Sequence, residues 1–253
     1  MEFVEIAKKF MELLRLRTKP LGIKFLEKPE FPEDVFRPSK YGLNIAVCQG
    51  ITFARKGEQI VGLTLEDVNC PPAQILYGWA DYDFSEIILK GKFANNIENA
   101  KEQLKRAPKL PFGRYKAVLI AQLDIMPLEP DVVVVFGSSA QIARLIQAVC
   151  YWESSLDASL QSKFASCAEA IIPALNGKTT IAIPGAGDRV FAGLDDDEMV
   201  FSFHYSKIDR IVEGLEKAGG GAGITYPPTT YMFFEPRFPK FYREAQKEFR
   251  FVD

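Results

Sequence analysis

Histidine is almost absent from this chain. His204 stands alone among 253 residues, so a His-rich metal centre cannot be assembled within one chain, and any Ser–His or Cys–His catalysis would have to run through that single ring. Cysteine is scarce as well. Cys48, Cys70, Cys150 and Cys167 are the four, and no two form a CxxC pair. A chain of this length builds a core without covalent staples, so a disulfide scaffold is not expected. There is no block of Lys and Arg; basic residues are scattered among acids and the net charge is −2, with none of the basic striping that nucleic-acid binding requires. No uncharged apolar run approaches the ~18 residues of a membrane span. The opening residues Met1 to Lys9 lack the apolar region of a signal peptide. These absences together predict a cytoplasmic protein in a reducing compartment that binds neither nucleic acid nor membrane.

What is present is an ordinary globular composition, 47% apolar and 25% charged. Phe3, Ile6, Ala7, Phe10, Leu13 and Leu14 recur at helical spacing, with Lys8, Lys9, Glu12 and Arg15 opposite. Thr18 to Gly22 reads as a break, and a strand is expected at Ile23–Leu26. Residues 27–42, with three prolines, read as a surface connection. Gln59 to Leu65 is β-rich. Pro71-Pro72 can open a helix running to Gly78, because proline fits the first helical turn. Asn95 to Arg106 predicts a further helix. Ala117–Ala121 and Val132–Phe136 are continuous apolar runs, the mark of strands covered on both faces. The second run feeds Gly137-Ser138-Ser139 and an amphipathic helix carrying Ile142, Leu145, Ile146 and Val149. That strand–turn–helix unit argues for some parallel sheet. Thr179–Ile183 and Met199–Phe203 are further strands, and Ile208–Ala218 a helix. The fold class expected is mixed, between α+β and α/β: a single compact domain over residues 1–253, with a central mixed sheet flanked by helices. Residues 219–253 form a Gly-rich loop and an aromatic C-terminal extension. Tyr231, Phe233, Phe234, Phe238, Phe241 and Tyr242 should pack back on the domain or on a second subunit, as a possible homo-oligomer.

Two segments share an order of parts. Cys48 leads a short apolar stretch, a Gly turn at Gly57 and a strand from Ile60. Cys167 leads a comparable stretch, Gly177 and a strand from Thr180. An internal duplication would place a site between the two Cys-led units; chance resemblance of short α–turn–β units accounts for the same pattern.

Several groups are candidates for chemistry. Cys150 falls beside an apolar stripe and reads as a core residue. Cys48, Cys70 and Cys167 each stand at an element boundary. Three thiolates could hold a soft metal or an iron–sulfur cluster, could flank a ligand pocket, or could be inert buried thiols. Gly185-Ala186-Gly187-Asp188-Arg189 follows a strand directly. Its glycines let backbone N–H groups converge as an anion nest, and Arg189 adds a bidentate donor for carboxylate or phosphate. A tight turn with a structural Arg–Asp pair explains the same residues. Gly137-Ser138-Ser139 lies where α/β sheets bind ligands, and equally where a serine caps a helix. Asp195-Asp196-Asp197-Glu198 could ligate a hard cation, though a solvated acidic loop is the plainer reading.

A set of separated blocks carries a resemblance. They are Cys48-Gln49-Gly50 with Ala54-Arg55-Lys56-Gly57, Cys70 with its helix start, Pro130 to Val134, Ala140 to Ala148, Cys167, Gly187-Asp188-Arg189, and Asp196 to Val200. Over roughly Leu21 to Leu215 the chain resembles the archaeal and bacterial family known as domain of unknown function 169. The resemblance implies a compact cytoplasmic domain in which the Cys, Gly-Asp-Arg and Asp-Asp-Glu-Met blocks matter together, and it supplies no reaction. Family members often carry a cysteine just before Gly-Asp-Arg, where this chain has Pro184-Gly185-Ala186. Three functions stay open. One is a protein binding a small anionic ligand or cofactor through Gly185, Gly187, Asp188 and Arg189, with Cys48, Cys70 and Cys167 lining the pocket and catalysis undecided. The second is a metal or iron–sulfur protein using the same three cysteines. The third is a non-catalytic assembly module.

Overall fold

The structure, a computed structural model, describes residues 2–156, 158–161, 165–222 and 238–248. In chain order the elements are α1 (Phe3–Leu14), β1 (Leu21–Leu26), α2 (Val47–Gly57), β2 (Val61–Thr64), α3 (Pro71–Leu76), α4 (Ser85–Lys90), α5 (Ile97–Arg106), β3 (Ala117–Gln122), β4 (Val132–Gly137), α6 (Ser139–Cys150), β5 (Ala158–Gln161), α7 (Ser166–Leu175), β6 (Thr179–Ala182), α8 (Ala186–Ala192), β7 (Met199–His204), α9 (Ile208–Lys217) and α10 (Lys240–Glu248). The strands form one sheet in the order β2-β3-β1-β4-β7-β6-β5. Among the strands of the described residues the β5–β6 pair is parallel and the other strand pairings are antiparallel. The sheet is therefore mixed, as expected, in a single α+β domain.

The apolar runs of β3 and β4 reflect coverage on both faces. Along β4, Val132, Val134 and Phe136 point to one core and Val133 and Val135 to the other. The first face packs against Ile51 and Ala54 of α2 and Ala168 and Ile171 of α7. The second packs against Phe10 and Leu14 of α1, Ile142 and Leu145 of α6, and Ile211 and Leu215 of α9. Helices α4 and α5 make a satellite cluster with Ile75 of α3. The parallel sheet expected from the β4–α6 unit is overturned in its location, because both neighbours of β4, β1 and β7, run antiparallel to it. Continuous apolar sequence reports two-sided burial and carries no information on strand direction.

Strand β1 begins two residues earlier than expected. Gly22, read as part of a break, sits inside the strand opposite Val133. A Cβ on Gly22 would lie 3.1 Å from Met126 Cγ and 3.1 Å from Pro130 Cβ, so the glycine admits a close approach and does not end an element. The serine of Gly137-Ser138-Ser139 is a helix cap: Gln141 Oε1 accepts from Ser138 N–H at 2.7 Å, and Gln141 Nε2 donates to the Leu14 and Arg15 carbonyls. Cys150, expected in the core, is exposed at the last turn of α6.

The six strands from β2 to β6 repeat their pairing about the Gly22–Val133 contact. Leu21 pairs with Gln122 in the first half and Val132 with His204 in the second. Leu123 N–H donates to the Pro20 carbonyl at 2.8 Å, and Tyr205 N–H to the Asp131 carbonyl at 2.9 Å. Val61 faces Ile120 and Thr180 faces Ser202, each two residues short of its strand's end. Val61 lies thirteen positions after Cys48 and, likewise, Thr180 thirteen positions after Cys167. The pairing pattern thus carries an approximate two-fold, and α2 and α7 are equivalent under it.

Among the described residues no helix is long and apolar enough to cross a membrane. Tyr231, Phe233 and Phe234 of the expected aromatic extension lie outside the described residues. Phe238, Phe241 and Tyr242, at the start of α10, are exposed and stack on one another.

Candidate functional site

Three cysteines and one aspartate stand at the beginnings of four helices. Cys48 is the second residue of α2 and Cys167 the second residue of α7. Cys70 is the N-cap residue of α3, and Asp188 lies in the first turn of α8. Helix α2 starts where it does because Gln49 folds back to accept the Ala46 N–H at 2.8 Å. Gly50 then lets the helix settle on β2, since a Cβ there would be 2.7 Å from Leu63 Cδ1. The block Cys48-Gln49-Gly50 therefore combines a thiol, a cap and a packing contact in consecutive residues.

The two-fold brings the starts of α2 and α7 to one place. A cavity of about 20 Å³ lies there, bounded by Cys48, Ile51, Phe136, Cys167, Asp188 and Val200. Cys70 is outside the cavity wall but close enough that its charge would raise the pKa of Cys48, Cys167 and Tyr77. Tyr77 is buried and its hydroxyl donates to the Cys167 carbonyl at 3.3 Å. Helix α8 closes the cavity. Gly185 N–H donates to Ser166 Oγ at 3.0 Å, and the Ser166 hydroxyl and Gly185 N–H pull the Asp188 carboxyl down against its burial.

Burial governs the ionisation of every one of these groups. It pushes the Cys48 thiol up to about 12, against the pull of the Gln49 N–H. It raises Cys70, raises Cys167 and Tyr77 well above their ordinary values, and raises Asp188 in spite of its hydrogen bonds. The thiols are therefore protonated at neutral pH, and none is a resting thiolate nucleophile. No Lys, Arg or His side chain is among the described residues bounding the cavity.

The expected anion nest is occupied by the protein itself. The Gly185 N–H is taken by Ser166, and Gly187 presents open space on its Cα with only Phe191 nearby. Arg189 turns away from the cysteines, donating to the Asp195 carbonyl and lying 3.6 Å from Asp196. The structure thus joins Cys48, Cys70, Cys167 and Asp188 at one place and leaves Arg189 on its outer side. His204 is remote in role, its Nδ1 engaged with Ser206 at 2.8 Å.

A buried ion pair beneath the site carries no local sequence signature. Arg55 of α2 is 1% exposed and forks onto Glu198, itself 2% exposed. Arg55 Nε donates to Thr18 Oγ1 at 2.6 Å and its guanidinium lies 4.2 Å from the Phe136 ring centre. Burial alone would raise the Glu198 carboxyl; the hydrogen bonds from Arg55 and the Asp195 N–H outweigh it and hold the group below its ordinary value. The acidic run Asp195–Glu198 is accordingly an arginine-bound loop: Asp195 and Asp197 are bonded by Arg17 at 3.1 and 2.7 Å, with Arg55 and Arg189 on the same segment. Thr52 Oγ1 and Lys56 Nζ, on the same face of α2 as Arg55, donate to the Ala192 and Gly193 carbonyls at 2.8 and 2.7 Å. Helix α8 is thereby tied to α7 at its start and to α2 at its end. Ser166 and Tyr77 escape sequence reading; Arg55 and Glu198 stand within the blocks that carry the family resemblance, and what the sequence does not indicate is that they pair with each other.

No three His, Cys, Asp or Glu side chains among the described residues are grouped so as to hold a metal ion jointly. No solved structure matches the chain. It is similar to the uncharacterized protein MJ0308 of Methanocaldococcus jannaschii, 27% identical over 224 residues, a span that covers 85% of this chain and 94% of the relative. Residues 9–214 match the family DUF169, described as Uncharacterised ArCR, COG2043, with Cys48, Cys70, Cys167 and Asp188 all inside the matched span. The chain belongs to the DUF169 family.

Proposed function

We propose that the protein binds a small ligand in the cavity between α2, α7 and α8. The observation that supports this most is the meeting of Cys48, Cys167 and Asp188 at one cavity on the two-fold of the sheet, under a short helix fastened at both ends. A desolvated carboxyl costs stability wherever it sits, and its placement among thiols at one cavity is reasonable where a ligand offsets that cost. An anionic ligand is the less favoured class. Each ionisable group around the cavity is an acid, the Gly185 N–H is used internally, and Arg189 serves the Asp195–Asp196 segment.

The test is differential alkylation read by peptide mass spectrometry. A low-molecular-mass fraction of cell extract should slow the labelling of Cys48 and Cys167 while leaving exposed Cys150 unchanged. Equal labelling with and without the fraction would overturn the reading. A second reading, self-association through α10, is favoured by exposed Phe238, Phe241 and Tyr242. Sedimentation of the full chain against a chain ending at residue 237 decides it.

A further inference from the structure

We propose that the protein has a second binding site, on the opposite face of the sheet from the cysteine cavity, which takes a small aromatic carboxylate. The site is separate from the ligand-binding reading above and stands or falls without it.

Two helix ends frame the place. Helix α6 stops at Cys150 and the chain continues through Tyr151 and Trp152, while α9 starts at Ile208, soon after β7 ends at His204. Between them lies a cavity of about 230 Å³. Val149 and Ile211 are its buried apolar lining, and both belong to the core built on α1, α6 and α9. Phe136, Cys167 and Val200 of the cysteine cavity belong to the other core. The volume is far above the ~10–15 Å³ that one water needs and just below the ~300 Å³ at which pockets for drug-sized ligands begin. It suits a molecule of one or two rings.

Charge selects the head group. Lys207 and Arg210 line the cavity together with one acid, Glu153, so one negative charge on a ligand balances the lining. Among the described residues the Arg210 guanidinium has no hydrogen bond or ion pair, and Lys207 Nζ has one bond, at 3.4 Å to Thr179 Oγ1. The Ser206 hydroxyl is engaged with His204 Nδ1 at 2.8 Å, so binding falls to the two cations. A free guanidinium grips a carboxylate through two parallel hydrogen bonds, whereas the second charge of a phosphate monoester would face Glu153 unbalanced. Trp152 selects the body of the ligand. It is 46% exposed, yet its indole N–H donates to the Arg210 carbonyl at 2.9 Å, and Tyr151 stands at right angles to it with ring centres 5.4 Å apart. The indole thus holds one orientation before a ligand arrives, and a second aromatic ring stacks on it with little further ordering. An inorganic anion would leave the indole, Val149 and Ile211 uncovered.

The experiment is a titration of the full chain, carrying isotope-labelled tryptophan, with sodium benzoate, read by the indole N–H resonances in solution NMR. The chain has two tryptophans, Trp79 and Trp152, and Trp152→Phe assigns them. Trp152 is expected to shift and saturate. Trp79, buried in the other core, should stay in place and report that the fold is intact. Benzamide, the neutral counterpart, should bind about tenfold more weakly. Cyclohexanecarboxylate, with the charge but no aromatic face, should bind about two- to tenfold more weakly. Lys207→Ala and Arg210→Ala should each weaken benzoate about two- to fivefold, and Glu153→Gln should strengthen it. The proposal is overturned if Trp152 does not shift saturably, if both indoles shift alike, or if benzamide or cyclohexanecarboxylate binds as well as benzoate. It is overturned too if both cation variants, with Trp79 unshifted, bind as the wild type does. Benzoate should leave alkylation of Cys48 and Cys167 unchanged, so failure here leaves the reading of the cysteine cavity standing, and failure there leaves this one.

Discussion

Replacing Arg55 with alanine offers a quantitative test of how the site is held. The wild-type guanidinium is 1% exposed and meets a carboxylate that is 2% exposed. Truncation leaves Glu198 with the Asp195 N–H at 3.0 Å as its remaining donor and removes the bond to Thr18 and the stacking on Phe136. Breaking a buried pair by deleting one partner costs about 3–5 kcal/mol, because the survivor is a buried charge without compensation. In a domain of this size that corresponds to about 6–20 °C in Tm. Urea denaturation of the wild type, Arg55→Ala, Glu198→Leu and the double variant Arg55→Met/Glu198→Leu gives the comparison. The double variant should be more stable than Arg55→Ala, since replacing both partners with apolar groups removes the stranded charge. The pH dependence follows from the sign of the Glu198 shift. Its carboxyl is held below its ordinary value in the folded protein, so the stabilisation is complete above the unfolded value, about 4.3, and is lost as pH falls through the folded value. The gap between wild type and Arg55→Ala should therefore be full at pH 7 and narrow in acid below about pH 4. A loss under about 1 kcal/mol at pH 7, against the ~3–5 expected, or a gap that widens in acid, would refute the reasoning.

Three further outcomes are expected. Gly214→Ala should cost about 1–3 kcal/mol or more, because a Cβ there would overlap the Ala148 carbonyl where α9 crosses α6; chemical denaturation measures it, and a neutral result would mean the helices separate freely. Asn96→Ala should cost about 1 kcal/mol through loss of the 2.7 Å bond from Asn99 N–H that caps α5, seen as faster amide exchange in the first turn of α5. Iodoacetamide should label Cys150 well before Cys48 at pH 8, and Cys48 labelling should climb about tenfold per pH unit up to about pH 11, since its thiol is pushed up to about 12 by burial; a plateau near pH 8 would show an ordinary thiol.

Much of the fold was legible where burial is periodic or continuous. The spacing in α1, the stripe of α6 and the apolar runs of β3 and β4 follow directly from which faces are covered. Helix α2 was legible only as the opening of a short α–turn–β unit led by Cys48, without bounds. Its sequence, Val47-Cys48-Gln49-Gly50-Ile51-Thr52, combines β-branched residues with a glycine, all poor helix formers. What makes it helical is tertiary: the Gln49 cap and the seat of Gly50 on Leu63. The site was half legible. Its three cysteines were noted as boundary residues, and their convergence depends on strand pairing between residues 62 to 113 apart in sequence. The Gly185–Arg189 loop looked like an anion site because glycine turns expose N–H groups. Sequence could not show that the Gly185 N–H is taken by Ser166 Oγ from the start of α7.

The same geometry explains why the polar residues of α2 matter to the cavity without touching it. Thr52, Arg55 and Lys56 fall at i, i+3 and i+4, one face of the helix, and each bonds the segment from Ala192, the last residue of α8, to Glu198. The start of α8 is bonded to Ser166, next to Cys167. The short helix that carries Asp188 is thus suspended between the two symmetry-related helices whose first turns carry the thiols. Val190 and Phe191, on its outer side, are 75% and 64% exposed, so apolar burial does little to hold it in place. Its position depends on the polar anchors at its two ends, and of these the Arg55–Glu198 pair is the one that is fully desolvated. Loss of that pair should therefore loosen α8 as well as destabilise the fold. Cys48 and Cys167 should then alkylate faster in Arg55→Ala than in the wild type under conditions where both proteins are still folded, while Cys150 reacts at an unchanged rate. Unchanged labelling of all three would mean that α8 is held by its own backbone and that the ion pair serves stability alone.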